Sequence, residues 1–197
     1  MSEPRFERLT GSRLEQALPE LARLRIEVFR DFPYLYEGSL EYEQRYLRTY
    51  LDEPEAVVVG CFLDDRVIGA ATALPMRGEP ESVRRPLAEA GYDTDRLFYF
   101  GESVLEKAYR GQGIGVRFFQ EREAAARASG RYDHAVFCAV VRPEDHPARP
   151  KDYQPLDQFW RRRGFTRIEG LSCRFSWKDV GNQHETTKAM SYWIKRL

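Results

Sequence analysis

The sequence predicts an α/β fold: one domain with a mixed central sheet of about six to seven strands flanked by helices. Three observations predict it. Residues 56–74 carry two β-branched runs joined by Asp64-Asp65, a hairpin signature. Residues 97–141 read as strand, glycine-rich loop, helix and strand, a unit whose length suits a parallel crossover. Two long β-patterned stretches close the chain. A chain of 197 residues fits one domain, and a chain of that size buries roughly 70% of its unfolded surface.

Taken in order, Arg5 to Leu9 reads as a short first strand. Thr10 or Ser12 caps a helix whose apolar stripe runs through Leu14, Leu18, Leu21, Leu24, Arg25 and Val28. Pro19 falls inside it and predicts a kink or a late start. Asp31-Phe32-Pro33 stops it. The aromatic-rich connection Phe32 to Gly38 leads to a second amphipathic helix over Leu40–Leu51. The hairpin strands are Ala56–Leu63 and Arg66–Leu74. Pro75 to Asp95 is irregular around a short helix, Ser82–Ala90, closed by Gly91. Leu97–Leu105 is the next strand, Val116–Ser129 the helix after the glycine loop, and Ala135–Val141 the strand after that. Arg142 to Lys151 holds three prolines and reads as a loop. Leu156–Arg163 is a short helix stopped by Gly164. Phe165–Trp177 and Thr186–Arg196 form the closing pair.

Formal net charge is zero, which gives no reason to expect a polyanionic partner. Met1 to Arg5 lacks the apolar segment of a signal peptide, and no apolar run has transmembrane length. Cys61, Cys138 and Cys173 each lie in an apolar strand-like run. They read as buried thiols in a reducing compartment, so a cytoplasmic location is expected. His134 and Cys138, four apart on a strand, would be roughly 13 Å apart, too far to share an ion. No metal is expected. His146 and His184 sit in polar loops and read as surface residues.

The chemistry concentrates in Arg110-Gly111-Gln112-Gly113-Ile114-Gly115, between a strand and a helix. Glycines there let the backbone turn tightly and approach a ligand. The first N–H groups of a helix have no intrahelical partner, and the helix dipole favours an anion beside them. Arg110 adds a forked cation suited to phosphate oxygens. A P-loop would need a Lys-Ser/Thr pair, and none follows. A dinucleotide fingerprint would need a third glycine where Val116 stands, which argues against a nucleotide-binding α/β protein.

What is left is R-x-x-G-x-G, filled by Arg110, Gly113 and Gly115. With Ser103 to Tyr109 before it, this stretch closely resembles the acyl-CoA loop of the GNAT superfamily of N-acyltransferases, and the order of elements resembles that fold over nearly the whole chain. The resemblance implies a GNAT-type N-acetyltransferase domain over residues 1–197 with acetyl-CoA as cosubstrate. Main-chain groups of Val104 and Leu105 would pair with the pantetheine arm, and Arg110, Gly111, Gln112, Gly113, Ile114 and Gly115 would hold the pyrophosphate. A splayed gap between the strands at 97–105 and 135–141 would admit the thioester, and Gly101 is a position for the bulge or bend this needs.

The reaction implied is direct attack of an amine on the thioester. Glu102, a carboxylate within an apolar strand, is the candidate base. Strand alternation sets it on the face opposite Tyr99, where the superfamily's glutamate commonly lies, unless Gly101 forms a bulge. The superfamily's frequent acidic tyrosine is replaced by Trp160 in Phe159-Trp160-Arg161-Arg162-Arg163-Gly164-Phe165. Tyr153 is a substitute acid. Tyr34 and Tyr36 are candidates for binding the acceptor amine through their rings and hydroxyls. The expected partner is a small-molecule or peptide amine, with a homodimer left open, and neither nucleic acid nor membrane. A non-catalytic acyl-CoA-binding or sensing protein is the alternative reading.

Overall fold

The structure, a computed structural model, describes residues 3–197. Strands β1 (Arg5–Arg8), β2 (Val57–Leu63), β3 (Arg66–Pro75), β4 (Leu97–Leu105), β5 (His134–Val140), β6 (Thr166–Lys178) and β7 (Glu185–Arg196) form one sheet in the order β1-β2-β3-β4-β5-β7-β6. Every pairing is antiparallel except that of β4 with β5. Helices α1 (Gly11–Phe29), α2 (Leu40–Leu47), α3 (Thr49–Asp52) and α4 (Glu81–Glu89) cover one face, where Leu14, Leu21, Leu47, Tyr50 and Leu87 are buried against Tyr99, Val104 and Val136. Helix α5 (Ile114–Ser129) covers the other, burying Phe118 and Phe119 among Phe98, Phe100, Ile68 and Phe165. The short α6 (Asp157–Arg162) packs Trp160 onto Phe137 and Trp193 at ring distances of 5.1 and 5.0 Å.

Helix α1 runs unbroken through Pro19. Pro19 lies on the solvent face, so the carbonyl that loses its partner there is hydrated rather than stranded. The second helix divides at Arg48 into α2 and α3. Helix α5 begins at Ile114, so the last two residues of the glycine loop form its first turn. Cys61, Cys138 and Cys173 are buried and free, with the thiols of Cys138 and Cys173 3.5 Å apart. No helix among the described residues is long and apolar enough to cross a membrane.

Two irregularities in β4 shape the middle of the molecule. Ala73 pairs with Phe100 and Ala71 with Ser103, so Gly101 and Glu102 together stand opposite Thr72 alone. This is a bulge on β4. On its other edge β4 pairs with β5 only from Leu97–His134 to Tyr99–Val136. Beyond Tyr99 the two strands part, and the edge of β4 from Phe100 to Leu105 faces an open seam.

Candidate active site

The bulge decides which side chains meet. Tyr99 faces α1, and in a regular strand Glu102 would take the opposite face. The extra residue shifts the alternation by one, so Glu102 and Val104 share the Tyr99 face, while Ser103 turns toward α5. Gly101 makes room for this. A Cβ there would stand 2.6 Å from Thr72 Oγ1 and closer still to the Tyr50 hydroxyl.

Glu102 is 8% exposed, and a buried carboxylate needs partners. Arg25 of α1 supplies the charge, with Nη1 2.6 Å from Glu102 Oε1. That approach is off the N–H direction, so it is an ion pair rather than a directed hydrogen bond. Arg25 Nε donates to Glu43 Oε2 of α2 at 2.5 Å, and Glu43 is fully buried. Burial alone would lower the Arg25 pKa, but Glu102, Tyr46 and Glu43 outweigh it and hold the guanidinium above the usual range. Tyr46 donates to Glu102 Oε2 at 3.2 Å, and the Tyr50 hydroxyl lies 3.5 Å from the same oxygen. Thr72 Oγ1 donates to Tyr50 at 2.9 Å and accepts from the Glu102 N–H at 3.2 Å. Burial first, then the charge of Glu102, raises both tyrosines well above their usual range, so they act as neutral donors.

A third carboxyl feels the charge of Glu102. Glu79, between β3 and α4, is pushed up to about 8 by burial and by the charge of Glu102. It is chiefly protonated at neutral pH. One arginine thus faces two buried carboxyl groups, those of Glu43 and Glu102.

The glycine loop lies past the end of the same strand. Gly113 caps α5 with φ +83° and no side-chain bond, and the first turn of the helix holds no acidic residue. The first bond within the helix runs from Arg117 N–H to Gly113 O at 3.1 Å, which leaves the N–H groups before it without an intrahelical acceptor. A Cβ at Gly111 or Gly113 would meet nothing within 4 Å, so the space above the loop is open. These features fit a pyrophosphate group. Arg110 Nε donates to Leu105 O at 3.3 Å, and Gln112 Nε2 to Ala108 O at 3.3 Å. Below the loop, a Cβ at Gly115 would stand 3.4 Å from Phe159, so α6 packs closely there. Glu106 N–H donates to Ile68 O on β3 at 3.0 Å. By alternation, the main-chain groups of Leu105 point away from β3 toward the seam, while those of Val104 point to β3.

The Tyr34 ring lies 4.7 Å from Phe29 and 6.0 Å from Trp177, and burial, then the charges of Cys138, Tyr153 and Glu102, raises its pKa. Tyr36 pairs with Asp179 and lines, with Tyr42 and Trp177, a groove of about 520 Å³, and burial, then its contact with Glu43, raises its pKa. Tyr153 packs edge-on against Phe32 at 4.6 Å beneath Arg149, and none of the hydrogen bonds around Glu102 involves it. Sequence reasoning missed Glu43, Tyr46, Tyr50, Thr72, Glu79 and Arg122 and placed Arg25 only as part of an apolar stripe. Arg25 and Arg122 carry a visible signal, a charge at a position whose helical spacing predicts burial. The others carry none.

Residues 20–165 match the family model described as "Acetyltransferase (GNAT) family". Among curated proteins none matches the chain. Solved structures share the fold. An acetyltransferase of the GNAT family from Streptococcus pneumoniae aligns with TM-score 0.62 at 14% identity, covering 99% of this chain and 100% of that one. A ribosomal-protein-alanine N-acetyltransferase from Brucella melitensis gives 0.63 at 15%, covering 98% and 99%. The PaiA N-acetyltransferase of Thermoplasma acidophilum, in complex with coenzyme A, gives 0.56 at 14%, covering 99% of each.

Proposed function

The chain belongs to the GNAT family of acetyltransferases, and from that premise we propose that it moves an acetyl group from acetyl-CoA to the amine of a small-molecule or peptide acceptor by direct attack. The observation that carries the reading is the bulge. It turns the Glu102 carboxylate onto the Tyr99 face beside the seam, on the strand whose end leads into the glycine cradle. The structural relatives named N-acetyltransferases, and the one bound to coenzyme A, support the amine acceptor and the cosubstrate.

In this reading the N–H groups from Gly111 to Gly115 and the Arg110 guanidinium hold the pyrophosphate, and the open edge of β4 at Leu105 pairs with the pantetheine arm. Tyr34 walls the acceptor side. Glu102 holds the ammonium as a counterion and then takes its proton, directly or through a water, freeing the nitrogen to attack. The Arg25 contact at Glu102 Oε1 keeps the carboxyl group oriented. A thiol pKa of about 8.5 makes the thiolate a tolerable leaving group, so the packed Trp160 does not bar the reaction.

One observation favours a non-catalytic acyl-CoA-binding protein instead: Trp160 stands where a proton-donating tyrosine is common, and, half-buried, it packs against Phe137 and Trp193. A free-thiol release assay with acetyl-CoA across small amines, amino acids and peptides separates the two. We expect turnover with at least one amine. Glu102→Gln should lower kcat by a factor of ~10² with CoA affinity little changed, and recover in part at alkaline pH, where free amine becomes abundant. Thioester binding without turnover on any amine favours the binding protein, and full turnover by Glu102→Gln across pH removes Glu102 as the base.

A further inference from the structure

Arg122 lies two turns into α5, roughly 12 Å along the axis from the start of the helix. Its side chain is buried, and among the described residues it forms no ion pair. Its nitrogens are spent on the sheet beneath. Nη1 donates to Thr72 O at 3.2 Å and to Glu102 O at 3.1 Å, and Nη2 donates to Ser103 Oγ at 2.7 Å. Nε turns back to Phe118 O at 3.2 Å. The guanidinium also lies over Phe100 and Phe119, at 4.3 and 4.9 Å from the ring centres.

Thr72 and Glu102 are the residues facing each other across the bulge. A bulge interrupts the ladder and leaves main-chain groups without their regular partners. One planar fork reaches the carbonyls of both strands at that interruption. Burial without a facing carboxylate lowers the Arg122 pKa to about 9, with Glu102 opposing the fall, so the group stays cationic at neutral pH. Burying a cation is costly, and a methionine or leucine would fill the volume without that cost. Packing therefore does not account for an arginine here. The carbonyls at the bulge do.

We propose that Arg122 is a positioning residue: it locks the bulge that aims Glu102 and ties it to the helix whose N-terminus forms the glycine cradle, so that the carboxylate and the anion site are held as one rigid unit. The kinetic part rests on the acetyl-transfer reading, and the structural part does not.

Two variants and two readouts test it. Arg122→Lys keeps the charge and loses the fork. Ser103→Ala, at an exposed position, removes the shortest of the bonds and leaves the fold intact. We expect Arg122→Lys to bind CoA nearly as wild type while kcat falls by ~10-fold or more, the scale of a small misplacement of a reacting group. Ser103→Ala should lower kcat less, and the double variant should be no worse than Arg122→Lys alone, the mark of a shared role. Amide hydrogen exchange over residues 100–105 should be faster in Arg122→Lys than in wild type, both without CoA and at saturating CoA. A variant that melts earlier yet keeps kcat and its exchange pattern overturns the proposal. If Arg122→Lys does not fold, Ser103→Ala decides alone, and unchanged kcat and exchange there overturn the proposal. If wild type acetylates no amine, the functional reading fails, and the exchange data still decide the role of Arg122.

Discussion

Glu79 holds a proton at neutral pH that an exposed glutamate would have lost, and this links stability to pH. Its folded pKa, about 8, lies above the ordinary carboxylate value of 4.5. Between those values the folded state binds more protons than the unfolded state, so stability falls as pH rises through that window and levels off above about 8. Wild type should therefore lose melting temperature between pH 5 and pH 8, and Glu79→Gln, neutral throughout, should flatten that decline, as read by calorimetry across buffers. An unchanged slope would mean that Glu79 is ionised in the folded protein. Arg25 makes a complementary case. Removing it strands Glu43 and Glu102, and breaking a buried pair typically costs ~3–5 kcal/mol. Arg25→Met should lose that much in urea unfolding at pH 7, and an unchanged unfolding midpoint would mean that the carboxyl groups do not depend on Arg25.

At the scale of single elements, the loop before α5 offers the cleanest separation of stability from binding. Gly113 sits at φ +83°, so Gly113→Ala strains the backbone and should cost ~1 kcal/mol or more. Gly113→Asp bears the same strain, but aspartate is a favoured cap and its carboxylate would bond the N–H groups that an anionic ligand needs. We expect similar melting temperatures for the two variants and a far larger loss of CoA affinity for aspartate, measured by calorimetry. Equal CoA affinities would remove the loop as the anion site. This loop was legible in the sequence because its requirements are local: two glycines, a cation and a following helix. The strands and helices were legible for the same reason, down to a residue or two at their ends. Pro19 misled because proline forbids one hydrogen bond, and only the fold reveals that this bond faces water. The acid cluster was hidden for the opposite reason. Arg25 stands on the stripe of Leu14, Leu18 and Leu21, but its partners lie on α2 and β4, and no spacing rule joins them. Gly101 was a readable place for a bulge, whereas the fork that closes it comes from α5, across the sheet.

At the scale of the whole molecule, a ligand that fills the seam should act on every element at once. Free CoA at a hundred times its Kd contributes ~2.7 kcal/mol if it binds only the folded state. For a chain of this size that is a rise in Tm of roughly 5–10 °C, measurable by a dye-based melt. No shift at saturating CoA would contradict the cradle assignment. The seam has a further, mechanical consequence. Strand β1 lies at one edge of the sheet and β7 lies in the other half. Tension applied to these two strands runs through β2 and β3 and must cross from β4 to β5, where the ladder spans only Leu97–Tyr99 against His134–Val136. Under load the sheet should tear there first, along a line set by how early the two strands part. An extended ligand bridging that line would serve as a rivet, raising the force the molecule bears without touching β1 or β7.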